Sequence, residues 1–151
     1  MLAQPTPNKL NPRLIRERHV KLWNIGGKVP DLDAEEAFLR AMGADVSGRQ
    51  PVFVNGQEGE LLFTQVGDTR VLMFEEVNYE RELDHPLKNG WTHIVFEVDD
   101  FDAAFDRLKN AGGKVIQGPA VVDATFSRRK IAFFESPGGC IYEVFSELPR
   151  D

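Results

Sequence analysis

The feature that most constrains this chain is an internal repeat: laid on itself at an offset of 69 residues, its first half superposes on its second. Val29, Asp31, Asp33, Ala34, Gly43 and Val46 fall on Val98, Asp100, Asp102, Ala103, Gly112 and Val115. Each copy reads as a strand, a helix and three more strands. In the first, HVKLWNIGGKV reads as a strand, Asp31 or Asp33 caps a helix running to about Met42, and Gly43 ends it. PVFV follows, then ELLFTQV and RVLMFEEV around the short turn Gly67-Asp68-Thr69. In the second copy Phe101, Ala104, Phe105 and Leu108 form an apolar helix face, and KVIQG, RRKIAFF and CIYEVF give three strands, the last two turning at Ser136-Pro137-Gly138-Gly139. On the first helix Ala34, Ala37, Phe38, Ala41 and Met42 share a face expected to pack on a sheet. The expectation is an α+β fold of two tandem βαβββ modules. Their half-sheets, related by a pseudo-twofold axis and covered outside by helices, would enclose a cleft where a ligand binds.

Length fits one such pair: 151 residues suit a single domain. We expect an N-terminal arm over 1–17, then a domain over 18–151 made of modules 18–78 and 90–148 joined by a linker 79–89. With 42% hydrophobic and 28% charged residues the chain can bury a core, and no apolar run reaches the roughly 18 residues of a membrane span. A net charge of −6 repels phosphate backbones, so neither nucleic acid nor a membrane is an expected partner. One cysteine, Cys140, and no signal-like apolar stretch in residues 1–11 imply a cytoplasmic protein.

The repeat also comments on chemistry. At an offset of 69, His93 pairs with Asn24; at 70, which aligns Leu61 with Ile131 on the later strands, Glu143 pairs with Met73. The expected polar quartet near the axis is Asn24, Met73, His93 and Glu143. Glu143 is a carboxylate in an apolar strand, where burial raises its pKa and suits it to proton transfer. Of the other histidines, His85 lies in the linker and His19 has the wrong strand parity to join Asn24. Cys140 likewise differs in parity from Glu143, which disfavours a nucleophilic triad and leaves it a packing residue. Trp23, Phe63, Phe74, Trp91, Phe96, Phe126 and Phe133 can furnish an apolar pocket as well as a core. Arg128, Arg129 and Lys130 read as a solvated strand edge rather than an anion clamp, and the Gly26-Gly27 pair inside a strand marks a bulge or room for a ligand.

The strings NIGGKVPDLDAEEAFL, GWTHIVFEVDDFDAAFDRLKNAGGKV and IAFFESPGGCIYEVF resemble the glyoxalase, bleomycin-resistance and extradiol-dioxygenase superfamily, the vicinal oxygen chelate proteins, over residues 19 to 148. The resemblance implies a homodimer and a small-molecule enzyme of lyase, isomerase or dioxygenase type. It also implies metal ligands on the first and last strand of each module, which here fall on His93 and Glu143, with Asn24 where a histidine is usual. A divalent Fe, Mn, Ni or Zn ion would then rest on His93, Glu143 and Asn24, with Glu75 or Glu76 replacing Met73 after a register slip. Two readings compete: a metal-free ligand-binding protein that sequesters its ligand as bleomycin-resistance proteins do, and a metal-independent isomerase or cyclase using Glu143 and His93 as acid and base.

Overall fold

The helix caps carry the repeat into three dimensions. In the computed structural model, which describes residues 20–54 and 56–150, helix α1 (Leu32–Met42) starts at Asp31, whose carboxylate accepts hydrogen bonds from the Asp33 and Ala34 amides. Helix α2 (Phe101–Asn110) starts at Asp100, which accepts from the Ala103 amide. Each helix is followed by a glycine in the left-handed region, Gly43 at φ 99° and Gly112 at φ 93°, where a side chain would be strained. The first strand begins at Val20, so His19 and the arm 1–17 lie outside the described residues.

The strands are β1 (Val20–Lys28), β2 (Asp45–Val54), β3 (Gln57–Val66), β4 (Thr69–Phe74), β5 (Gly90–Val98), β6 (Lys114–Ala124), β7 (Arg128–Glu135) and β8 (Ile141–Glu147), with a short 3-10 turn at Asn78–Glu82 between the modules. Within the modules the spatial orders are β1-β4-β3-β2 and β5-β8-β7-β6. The modules join edge to edge, β1 antiparallel to β5 and β2 antiparallel to β6, and the eight strands close into one barrel. The first seam is symmetric: Asn24 faces Val95, Ile25 faces Ile94 and Gly26 faces His93. The pseudo-twofold axis therefore passes through Ile25 and Ile94 and relates Asn24 to His93.

Strand alternation sorts the apolar residues into three layers. Leu61, Leu72, Phe74, Val95, Ile131, Phe133 and Phe145 fill the barrel interior. Val29, Leu32, Leu39, Leu62, Val71 and Met73 pack between the sheet and α1, and Val98, Phe101, Ala104, Ala132, Phe134 and Val144 do so under α2.

Three expectations change here. The α1 face made of Ala34, Ala37, Phe38, Ala41 and Met42 points to solvent, and Leu32 and Leu39, one full i, i+7 step apart, pack on the sheet instead. Strands β2 and β6 are longer than PVFV and KVIQG, since pairing with β3 and β7 recruits polar and glycine residues that carry no strand signal of their own. Met73 does not face the axis. Phe63 faces Leu72 as Phe133 faces Glu143, and the chain between the second pair is one residue longer than between the first, so the offset becomes 71. A slip of one residue turns a side chain to the other face, and Met73 sits over Gly27 on the α1 side. Met73→Glu should accordingly bury an unpaired carboxylate under α1 and cost about 3 kcal/mol or more in a urea unfolding curve at pH 7.

Candidate active site

Among the described residues, few polar side chains are buried in this barrel, and the sequence-derived trio is among them. Asn24 is 2% exposed, His93 6% and Glu143 9%. His93 owes its position to a glycine: a Cβ on Gly26, its partner across the seam, would lie 2.3–2.8 Å from three atoms of the imidazole. The ring is walled by Phe133 at 5.2 Å, Tyr79 at 5.7 Å and Phe74 at 6.5 Å between centroids. Its Nδ1 hydrogen-bonds with the Thr92 hydroxyl at 2.8 Å, which leaves Nε2 directed at Glu143 Oε2, 3.8 Å away.

At that distance the two groups are neighbours without a direct hydrogen bond. Burial sets their charge. It pushes the Glu143 carboxyl up to about 7, against the pull of the Arg129 charge, and drives the His93 imidazole down to about 4. Between those values both groups are neutral; above about 7 the carboxylate faces a neutral imidazole. The contact is thus no ion pair at neutral pH, but a carboxyl group that titrates near 7 beside an imidazole able to accept or pass a proton.

Tyr79, on the linker's 3-10 turn, is fully buried, packs on Phe133 at 4.8 Å and donates its hydroxyl to the Thr92 carbonyl at 3.1 Å. Lys28 holds the neighbouring Glu80 at 2.5 Å. The linker therefore packs over His93 inside the barrel. Cavities of about 430, 610 and 430 Å³ lie instead beside Gln57 and Asn78, beside Phe53 and Arg150, and between α2 and the sheet at Phe96 and Tyr142. None of the three is lined by Asn24, His93 or Glu143.

Other residues separate from the site. Exposed His85 pairs with Asp84 at 2.7 Å, Trp91 is exposed, and Cys140 is exposed rather than packed. Glu75 accepts from the Leu32 amide and Glu76 from Arg81, so neither turns inward to replace Met73. The basic run divides: Arg128 and Lys130 face Asp123 and Asp102 outside, while Arg129 enters the barrel, contrary to the solvated edge expected. Parity on β7 held that signal, since Arg129 lies an even number of residues from the inward Ile131 and Phe133.

A divalent ion held by protein wants three or four N, O or S donors. The positions facing the axis here are His93, Glu143, the amide of Asn24 and the aliphatic Leu72. No three His, Cys, Asp or Glu side chains converge among the described residues. Two strong donors do not fit a divalent cation site.

Residues 23–133 match the family model of the Glyoxalase/Bleomycin resistance protein/Dioxygenase superfamily. The chain is 33% identical over 111 residues, 64% of its own length and 74% of the relative's, to an ethylmalonyl-CoA/methylmalonyl-CoA epimerase of Cereibacter sphaeroides. Its fold is similar to that of methylmalonyl-CoA epimerase from Mycobacterium tuberculosis, with a TM-score of 0.58, 19% identity, and 85% of this chain and 88% of that chain covered. It is also similar to the Mn(II)-bound glyoxalase from Novosphingobium aromaticivorans, at TM-score 0.55 and 25% identity, over 89% of this chain and 42% of that one. If Leu72 and Asn24 are the positions where the first module lacks donors, the double variant Asn24→His with Leu72→Glu should gain about one equivalent of Mn(II) or Ni(II) in calorimetry, and the unaltered protein well under that.

Proposed function

Because the chain belongs to the Glyoxalase/Bleomycin resistance protein/Dioxygenase superfamily, we propose that it is a small-molecule isomerase that moves a proton at a carbon next to a carbonyl. The observation that carries this reading is the Glu143 carboxyl, buried in an apolar barrel and facing His93 at 3.8 Å. Glu143 takes the proton from the carbon as carboxylate and the electron pair passes into the carbonyl as an enolate. A proton that the Glu143–His93 pair has exchanged with solvent, delivered to the opposite face of the enolate or to the adjacent carbon, gives the isomer and regenerates the carboxylate. His93, neutral and tied to Thr92, stands 3.8 Å from Glu143 as the group that relays its proton. The epimerase relative, whose name gives acyl-thioester substrates, supports the reaction class. Access requires the linker carrying Tyr79 to move, a motion of the kind that gates many active sites. Exposed Leu22 and Trp91 leave apolar surface for the homodimer that belongs to this reading.

A second reading, sequestration of a ligand without turnover, draws on the absence of any of the three cavities at the pair. One experiment separates them. The protein should exchange the α-hydrogen of an acyl thioester such as a methylmalonyl thioester for deuterium, with a rate that rises with pH through about 7 as Glu143 ionises. Glu143→Gln should lower that rate by about 10²–10⁴-fold. Stability should move the other way. A carboxyl whose folded pKa is raised contributes stability below its unfolded pKa and loses it as pH rises through about 7. Glu143→Gln should therefore melt higher than the unaltered protein at pH 8, by about 1–3 kcal/mol, with the gap narrowing toward pH 4.5. Sequestration alone leaves the hydrogen unexchanged in both proteins.

A further inference from the structure

Of the buried ionisable groups His93, Glu143 and Arg129 among the described residues, Arg129 is the one that proton transfer leaves without a task. Its residue is 4% exposed, and no carboxylate of the described residues lies within 4 Å of the guanidinium. Nε donates to the Ser127 hydroxyl at 2.6 Å, whereas the buried Nη2 has no hydrogen-bond partner. The guanidinium lies over Phe145 at 3.7 Å, Trp23 at 4.1 Å and Phe126 at 4.9 Å. Arg70, half-buried, lies over the same indole at 4.4 Å and is held by the Trp23 carbonyl at 3.3 Å. Two cations on one indole repel each other and cost desolvation that aromatic faces offset only in part. Such an arrangement is complete when an anion joins it.

The position of this pair selects the anion's size. Trp23, Phe63, Phe126 and Arg70 are half-buried, so this end of the interior reaches the surface. Phe145, against which the Arg129 guanidinium rests, lies two residues from Glu143 on β8, an advance of roughly 7 Å. That gap spans a short acyl chain. A planar guanidinium with a free N–H edge matches a planar carboxylate.

We propose that Arg129, assisted by Arg70 at the rim, is the carboxylate receptor of the site, so that the substrate is a small carboxylate-bearing acyl compound whose anionic end lies on Arg129 Nη2 and whose reacting carbon lies toward Glu143. The placement of the reacting carbon rests on the proton-transfer reading; the carboxylate receptor does not. Arg129 is here a substrate-positioning residue. Its mutation should raise the substrate KM much more than it lowers kcat, and a neutral isostere of the ligand should escape its influence.

The test uses the full chain with Trp91→Phe, so that fluorescence reports Trp23, titrated with malonate and with neutral malonamide at constant ionic strength. Malonate should give a saturable change, and malonamide none. Arg129→Gln should weaken malonate binding at least tenfold, Arg129→Lys should recover part of it, and Lys130→Gln, on the outer face beside Asp102, should bind as before. Equal responses to malonate and malonamide, or unchanged binding in Arg129→Gln, would overturn the proposal. If Arg129→Gln does not fold, the comparison of the two ligands on unaltered Arg129 decides alone. Failure of the proton-transfer reading looks different: malonate binding still depends on Arg129, but α-hydrogen exchange runs at the same rate in the unaltered protein and in Glu143→Gln.

Discussion

The antiparallel seam between β1 and β5 is the constraint on which the other features rest, because it fixes both the symmetry of the barrel and the contents of its interior. Ile25 faces Ile94 on the axis, and the pairs to either side, Asn24 with Val95 and Gly26 with His93, are related by it. The absence of a side chain at Gly26 lets the imidazole fold inward over the neighbouring strand. A methyl there would drive His93 out or open the seam. The same glycine pair separates the two faces of β1, since Gly26 makes room inside for His93 and Gly27 makes room outside for Met73. Closure through this seam then places Glu143, on the strand parallel to β5, beside Val95 and opposite His93.

Closure also sets the electrostatics. A carboxyl, an imidazole and a guanidinium share a largely apolar and aromatic interior, where desolvation disfavours every charge. The outcome is graded: Glu143 rises toward neutrality, His93 gives up its proton, and Arg129 falls only to about 10, so it stays cationic. The interior thus holds one permanent charge and one switchable proton. This division suits a ligand with a fixed negative end and an acidic carbon, and burying these groups is a cost to stability that a purely structural core would avoid.

Much of this is legible in the repeat. The caps Asp31 and Asp100, the stops Gly43 and Gly112, and the equivalence of Asn24 with His93 follow from residues 69 positions apart and hold in the fold. What escapes is decided by single-residue geometry. The one extra residue between Phe133 and its partner Glu143 shifts the equivalent of Glu143 from Met73 to Leu72, because strand faces alternate with period two and an alignment of apolar residues tolerates a slip that a sheet does not. The buried face of α1 is misread from a stripe that includes Phe38 and Met42, both exposed, whereas Leu32 and Leu39 mark the side that packs. Arg129 is hidden within a basic run whose two neighbours are surface residues. Tyr79 over His93 depends on how the linker folds back, which no local pattern encodes.

The central claim is that the barrel holds Glu143 as a carboxyl group poised to exchange its proton near neutral pH. Site-resolved 13C NMR of the Glu143 carboxyl carbon, titrated from pH 3 to 9 and assigned with Glu143→Gln, measures this directly. A buried Glu143 beside a neutral His93 gives a midpoint near 7, with His93 staying neutral down to about pH 4. A Glu143 midpoint at the ordinary 4.5, or a protonated His93 at pH 6, would contradict it.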